Sequence, residues 1–390
     1  IVRLFFGKIF SGLVVLFIYS KMAVHFGPDM FGVWNYFLSF ASLVPALSSL
    51  GLNFIIVKYI GNRKTETDNI LFNCFIIRVF SSIVSCVLIY ILYFFSGVNN
   101  SDGLSLVFVF MLMTQIILVS NILIQKNEAF LENKKTVIPR NAIFFLFSIV
   151  KLIAIKYDYG LVSFSIILMV ENLILVFWMF FKDYKFLVNG RLDKRLIWEL
   201  LNEGFPLLLA AITTTLYLKI DQIFLGWLSS NQQLGIYSSS AKLSEYLYAI
   251  PAIITSVYLS KLVNNDEIKH SRTILQNMYL SSIYLSLLIC IIVYFSSDLL
   301  VNMMYGIDYL ESGDILKIHI WSLFFMSFLV SSSKELIFMN KENLIFKREL
   351  LALIFNIVLN LILIPKFDAV GAAIATLISY SVSAIFSNFL

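Results

Sequence analysis

Residues 219–254, KIDQIFLGWLSSNQQLGIYSSSAKLSEYLYAIPAII, close one apolar run and open another across a short polar connection. A helix needs about 20 mostly apolar residues to cross a bilayer, and polar backbone exposed to lipid is not tolerated there. The stretch therefore reads as the end of a span near 205–228 and most of the next, near 235–260. Carried outward, the same criterion partitions the whole chain. Spans 1 to 6 fall near 4–24, 31–57, 70–96, 104–125, 137–155 and 160–181. Spans 7 to 12 fall near 205–228, 235–260, 274–296, 312–339, 349–364 and 369–390. The expected fold is an all-α integral membrane protein of 12 transmembrane helices, with no room for a soluble domain. The first run carries Lys21 and is followed by no small-residue cleavage site, so it reads as a helix and not a signal peptide. The chain begins at Ile1 and ends within an apolar run at Leu390, and a few further residues are expected at both ends.

Composition agrees. Hydrophobic residues make up 59% of the 390 and charged residues only 14%, against about 25% charged in soluble proteins. Soluble, disordered and nucleic-acid-binding classes are excluded. Cys74, Cys86 and Cys290 offer no disulfide framework and read as apolar filler.

The basic residues orient the spans. Alternate connections, at 58–69, 126–140, 182–204, 261–273 and 340–348, hold 18 Lys and Arg, whereas the opposite set holds only Lys156 and Lys366. The positive-inside rule then places the basic connections and both termini in the cytoplasm. Trp34 and Trp227 fall near outer helix ends and Trp178 near an inner one, as interfacial anchors would. In the longest connection, Leu192, Leu196, Trp198 and Leu200 suit either an amphipathic stretch lying on the membrane or a solvated linker helix.

Compared with itself, the chain repeats. YSK at 19–21 matches YLK at 217–219, FGVW at 31–34 matches LGIY at 234–237, and KYIGN at 58–62 matches KLVNN at 261–265. NKKTVIPR at 133–140 matches NKENLIFK at 340–347, and KYD at 156–158 matches KFD at 366–368. Pro45 and Pro251 nearly correspond. Five matches in order, with offsets that creep from 198 to 210, indicate two copies of a six-helix unit. Two pseudo-symmetric lobes are expected, at 1–181 and 205–390, joined by a cytoplasmic connector at 182–204. Both copies enter the membrane in the same direction, the plan of many secondary transporters.

Seven basic residues remain inside the spans: Lys21, Arg78, Lys151, Lys219, Lys242, Lys317 and Lys334. Each charge at the bilayer centre costs at least about 2.5–3.5 kcal/mol, which implies a hydrated interior. Lys242 with Glu245, and Asp314 with Lys317, are spaced i,i+3 and suit mutual neutralisation as well as function. Lys151, Lys317 and Lys334 lie toward helix ends, where long side chains snorkel. Lys21 and Lys219 occupy equivalent repeat positions, which suggests a symmetric cationic site in a cleft, although Lys21 is close enough to a helix end to snorkel. Arg78, about two turns into span 3, either receives an anionic headgroup from the inner leaflet or snorkels. Asp221 and Glu245 suit carriage of a coupling proton or cation and equally suit counter-ion duty to Lys219 and Lys242. Glu171, without a close sequence partner, is a third proton-site candidate. The scattered His25, His270 and His319 propose no metal site. No phosphate-binding Gly-x-x-x-x-Gly-Lys-[Ser/Thr] loop occurs.

The sequence resembles the O-antigen flippases of the Wzx type, polysaccharide exporters in the superfamily that also holds multidrug and toxic compound extruders and the lipid II flippase. The resemblance is carried by EGFP at 203–206, by the run at 219–254 quoted above, and by KFDAVGAAIATLISY at 366–380. It covers essentially the whole chain in helix number and order, and its motifs do not specify the sugar. It implies a V-shaped bundle of two six-helix lobes (MATE-like) in the bacterial inner membrane. It also implies a substrate of undecaprenyl-pyrophosphate bearing one oligosaccharide repeat unit, moved from the cytoplasmic to the periplasmic leaflet. Membrane lipids and other polysaccharide-assembly proteins are the implied partners, with no enzymatic activity and no cofactor beyond a proton or sodium gradient. An anionic pyrophosphate is compatible with a cavity holding Lys21, Arg78, Lys219 and Lys242.

Two other transporters compete. A multidrug or cation extruder of the same fold would favour acidic or aromatic cavities, which the lysines oppose. A major-facilitator symporter shares the six-plus-six plan, but its Gly-x-x-x-Asp-[Arg/Lys]-x-Gly signature is missing where this chain reads GNRKTETD. A membrane enzyme such as a repeat-unit polymerase would need a larger outer loop than 297–311.

Overall fold

A computed structural model describes residues 2–96, 102–263, 268–339 and 341–387. The expected connections at 97–103 and 261–273, and the last three residues of span 12, lie wholly or partly outside these. The described residues are helical and contain no strand. The first eight helices are α1 (Val2–Ala41), α2 (Leu43–Ser48), α3 (Leu52–Asn62), α4 (Thr67–Phe95), α5 (Asp102–Ile117), α6 (Ile122–Ala129), α7 (Lys134–Lys156) and α8 (Leu161–Asp183). There follow α9 (Lys185–Asn189), α10 (Lys194–Leu228), α11 (Asn231–Leu247), α12 (Ala249–Val263), α13 (Ile268–Tyr305), α14 (Glu311–His319), α15 (Trp321–Phe338) and α16 (Glu342–Phe386). Among the described residues, nine helical stretches are long and apolar enough to cross a membrane. The chain is a multi-pass membrane protein.

Local chemistry sets the breaks. Gly27, at φ 69°, takes the left-handed conformation that a side chain resists, and Pro28 follows it, so α1 kinks in the connection expected between spans 1 and 2. Pro365 and Asp368 (φ 46°) kink α16 between spans 11 and 12. Pro45 and Pro251 act alike: neither can donate to the carbonyl four residues earlier, and α1 ends at Ala41 while α11 ends at Leu247.

Outward faces are apolar. On α4, Phe80, Val84, Val87, Leu88, Ile91 and Phe95 are exposed, and on α13 Leu280, Leu288, Ile292 and Phe295 are exposed. A stripe of that extent is stable only against lipid or a partner.

Packing divides the chain into two compact units, Ile1–Asn35 with Tyr217–Leu390, and Tyr36–Leu216. The boundaries fall inside α1 and α10. In the first unit, Tyr19, Ala23 and Phe31 of α1 share a core with Tyr305, Tyr309, Leu316 and Leu323, and Tyr309 donates its hydroxyl hydrogen to the Ala23 carbonyl at 2.8 Å. Trp34 is buried there and is not an interfacial ring; Trp178 and Trp227 are exposed. In the second unit, Leu52, Ile56, Ile70, Leu71, Ile122 and Leu200 form one core, and Phe37, Tyr93 and Phe108 a cluster of rings 4.6–5.5 Å apart.

The connector is docked on the protein by hydrogen bonds and by two of its leucines. Asp193 caps α10 by accepting from the amides of Arg195 and Leu196, and buried Asn73 clamps the chain by donating to the Arg191 carbonyl and accepting from the Asp193 amide. Leu196 and Leu200 enter the core, leaving only Leu192 and Trp198 exposed. In the EGFP motif, Glu203 accepts from Lys58 Nζ at 2.9 Å and the Tyr59 hydroxyl at 2.8 Å. A Cβ on Gly204 would lie 2.3 Å from the Leu50 carbonyl oxygen, so only glycine admits this approach.

Candidate functional site: a lysine–glutamate cluster within the spans

The charged residues of α10 and α11 meet within the first unit. Lys219 Nζ donates to Glu245 Oε1 at 3.1 Å, and Lys242 Nζ lies 4.0 Å from Glu245 Oε2. Two ammonium groups thus share one carboxylate. All three side chains are about one-quarter exposed. Lys242 makes no hydrogen bond among the described residues; its ammonium instead sits over the rings of Tyr19, at 5.2 Å, and Tyr246, at 5.6 Å. Such contacts hold a cation while leaving its donors unused. Tyr19 is itself fixed by donating to Asn35 Oδ1 at 2.5 Å.

Asp221, two residues from Lys219 on α10 and within its electrostatic reach, is held in a hydrogen-bonded niche. It is buried, accepts from the Tyr237 hydroxyl and, at 2.8 Å, from the Gln222 amide, with Thr376 Oγ1 at 3.4 Å. Tyr237 also stands edge-on to the buried ring of His319, whose Nδ1 has no partner among the described residues. Ser238, Ser239 and Ser240 are all buried, and Ser239 meets Ser312 of α14 at 2.7 Å, so small side chains let these helices approach closely. Helices α1 and α11 approach more closely still. A Cβ on Gly32 would lie 1.8 Å from the Asn231 carbonyl oxygen, and one on Gly235 2.0 Å from that of Pro28. These two glycines are the ones paired by the FGVW and LGIY matches.

The other candidates lie elsewhere. Lys21 is exposed, its ammonium 5.6 Å from the Phe17 ring centroid, and makes no ion pair among the described residues. Glu171 has a partner that sequence spacing conceals: Lys151 Nζ donates to its Oε2 at 2.6 Å, between α7 and α8 of the second unit. Arg78 is buried in that unit too, among neutral groups. Lys317 is held by Asp314 and Asp298, each at 2.9 Å, a structural pairing.

Sequence reasoning missed several groups. Arg348, read as part of a basic connection, is buried in α16 and donates to Ser332, Ser333 and Ser387. The consecutive serines 331–333 were the available signal. Tyr237, Thr376 and His319 carried none, because long-range packing alone brings them to Asp221.

Helices of membrane-crossing length and apolar outward faces define a multi-pass membrane protein. The family model described as polysaccharide biosynthesis protein matches residues 22–314, and the chain belongs to that family. It is 28% identical over 187 residues to the capsular polysaccharide biosynthesis protein CapF of Staphylococcus aureus, covering 46% of this chain and 46% of that protein. It is 22% identical over 173 residues to the probable low-salt glycan biosynthesis flippase Agl15 of Haloferax volcanii, covering 43% of this chain and 36% of that protein. The matches thus span less than half the length of these relatives. Among solved structures, the lipid II flippase MurJ in an inward closed conformation superposes with a TM-score of 0.78 at 17% identity, over 100% of this chain and 87% of that one. An inward-facing multidrug resistance MATE family transporter superposes with a TM-score of 0.77 at 13% identity, over 98% and 96%. At these identities the likeness concerns the fold alone.

Proposed function

We propose that this protein is a non-enzymatic flippase that carries undecaprenyl-pyrophosphate bearing one repeat unit of O-antigen, or of a related polysaccharide, between bilayer leaflets by alternating access. The observation that carries the reading is the cluster of Lys219, Lys242 and Glu245, in which one carboxylate faces two ammonium groups and Lys242 keeps its donors free. An anionic group satisfies that surplus; an organic cation does not. Membership of the polysaccharide biosynthesis family supports the reading, as do relatives named for capsular polysaccharide biosynthesis and for a glycan flippase.

The reading includes twelve crossings in two six-helix lobes. Helix α16 has 45 residues, which at 1.5 Å each is about twice the ~30 Å hydrocarbon core. Its kink at Asp368, the kink at Gly27 and the pair α11–α12 add three crossings to the nine long stretches. The mutual approach of repeat-equivalent Gly32 and Gly235 supports the internal repeat. Both termini are placed in the cytoplasm of a bacterial inner membrane, and a proton or sodium gradient supplies the drive, with Asp221 and Glu245 as coupling groups. Other polysaccharide-assembly proteins are its working partners.

Surface polysaccharide in a strain relying on this chain tests the reading. Lys219→Ala and Lys242→Gln are expected to abolish display while the protein stays in the membrane at wild-type amount. Normal display by the double variant would refute it.

A further inference from the structure

The second unit contains a basic pocket that the cluster above does not use. It forms where regular helix fails twice. Leu50 and Gly51 take positive φ between α2 and α3, and a 3-10 turn at Leu118–Asn121 separates α5 from α6. Such interruptions inside membrane helices persist where they line a cavity or are buried in protein. Here they border a cavity of about 150 Å³ lined by Ser49, Asn53, Arg78, Gln115, Asn121 and Gln125, among others.

Arg78 is 4% exposed. Its guanidinium donates from Nη2 to Asn53 Oδ1 at 2.5 Å and from Nη1 to Gln125 Oε1 at 3.4 Å, while buried Nε has no partner among the described residues. No carboxylate lies within ion-pair distance among the described residues, and no acidic residue lines the cavity. A buried cation is costly unless it is paired. Lys151 has Glu171 and Lys219 has Glu245, while Arg348, also buried, is held by the hydroxyls of Ser332, Ser333 and Ser387 and lines no such cavity. Asn53 and Gln125 also bond to each other at 3.2 Å, which holds both amides at the guanidinium.

We infer that this pocket is a phosphate-binding site, in which Arg78 supplies the charge and the surrounding amides and hydroxyls supply further donors. A fork of guanidinium donors matches a phosphate oxyanion, and the small cavity accepts such a group but not an oligosaccharide. The phosphate belongs either to a lipid headgroup or to a free anion. The site stands on its own geometry, whatever the protein transports.

The test uses the full chain in a phosphate-free detergent and reads its melting temperature. One arm titrates inorganic phosphate against chloride at equal ionic strength. The other titrates phosphatidylglycerol against a phosphate-free diacyl glycolipid. A saturable rise in the wild type is expected in at least one arm and in neither control. A response in the first arm alone assigns a free anion, and in the second a headgroup. Arg78→Gln is expected to shift the half-saturation point at least about tenfold upward, with Arg78→Lys retaining part of the response. Gln115→Glu, which leaves every Arg78 hydrogen bond in place but adds an internal carboxylate, is expected to suppress it as well, and carries the test should Arg78→Gln fail to fold. No saturable rise in the wild type, or an undiminished one in Gln115→Glu and any folded Arg78→Gln, overturns the assignment.

Discussion

A glutamate between two lysines leaves one positive charge over, and the two lysines are not equivalent. Lys219 is hydrogen-bonded to Glu245, whereas Lys242 rests on aromatic faces. Removing Glu245 confronts two partly buried cations with each other, so Glu245→Gln is expected to lower the melting temperature more than Lys242→Gln does. An equal or smaller drop would show that the carboxylate is not their common partner. Lys151 and Glu171, 12% and 14% exposed, form a close and more deeply placed pair. Truncating one partner leaves a charge stranded, while replacing both by apolar residues relieves it. In a double-mutant cycle, Lys151→Met and Glu171→Leu are therefore expected to couple by about 1–3 kcal/mol. Purely additive effects would free Glu171 for another role. The sequence made the charged residues conspicuous, since each interrupts an apolar run. It did not disclose their partners: Lys151 and Glu171 are on different helices, and Lys219 meets Glu245 of the next helix. Periodicity reports which residues share a helix, and pairing between helices is decided by packing.

Among the elements, the crossing of α1 and α11 depends on two missing side chains. A Cβ at Gly32 or Gly235 meets a carbonyl oxygen of the facing helix well inside contact distance. Backbone cannot give way as a flexible side chain can. Gly32→Ala and Gly235→Ala are expected to cost about 1–3 kcal/mol each, read as a lowered melting temperature; no change in either would mean the helices can separate freely. At the start of α10, Leu200 is fully buried while Leu192 is exposed. Leu200→Ala is expected to cost about 2–5 kcal/mol, and Leu192→Ala almost nothing, by the same readout. The kinks at Gly27 and Asp368 fall in connections that gaps between apolar runs made legible, whereas the breaks at Leu50–Gly51 and Leu118–Asn121 fall inside runs that read as continuous spans. The docking of the connector was not legible. Leu196 and Leu200 have the spacing of any amphipathic helix, and only the core they enter distinguishes protein from membrane surface.

For the whole molecule, composition alone determined that the chain lives in a bilayer, and the helical fold shared with solved MOP-superfamily structures agrees. The repeat was legible as five short matches, and the contact of its paired glycines gives one of them a physical role. Packing nonetheless groups residues 1–35 with the C-terminal part of the chain, because α1 buries Tyr19, Ala23 and Phe31 against helices far away in sequence. A flippase account makes its strongest commitment on the substrate's charge. The decisive measurement is translocation of a purified undecaprenyl-pyrophosphate-linked oligosaccharide in proteoliposomes, with and without proton and sodium gradients, by the wild type, Lys219→Ala, Lys242→Gln and Lys21→Ala. Gradient-dependent translocation by the wild type is predicted, reduced at least about tenfold by either cluster substitution and little changed by Lys21→Ala. Translocation unaffected by Lys219→Ala and Lys242→Gln together, or none by the wild type under any gradient, would contradict the account.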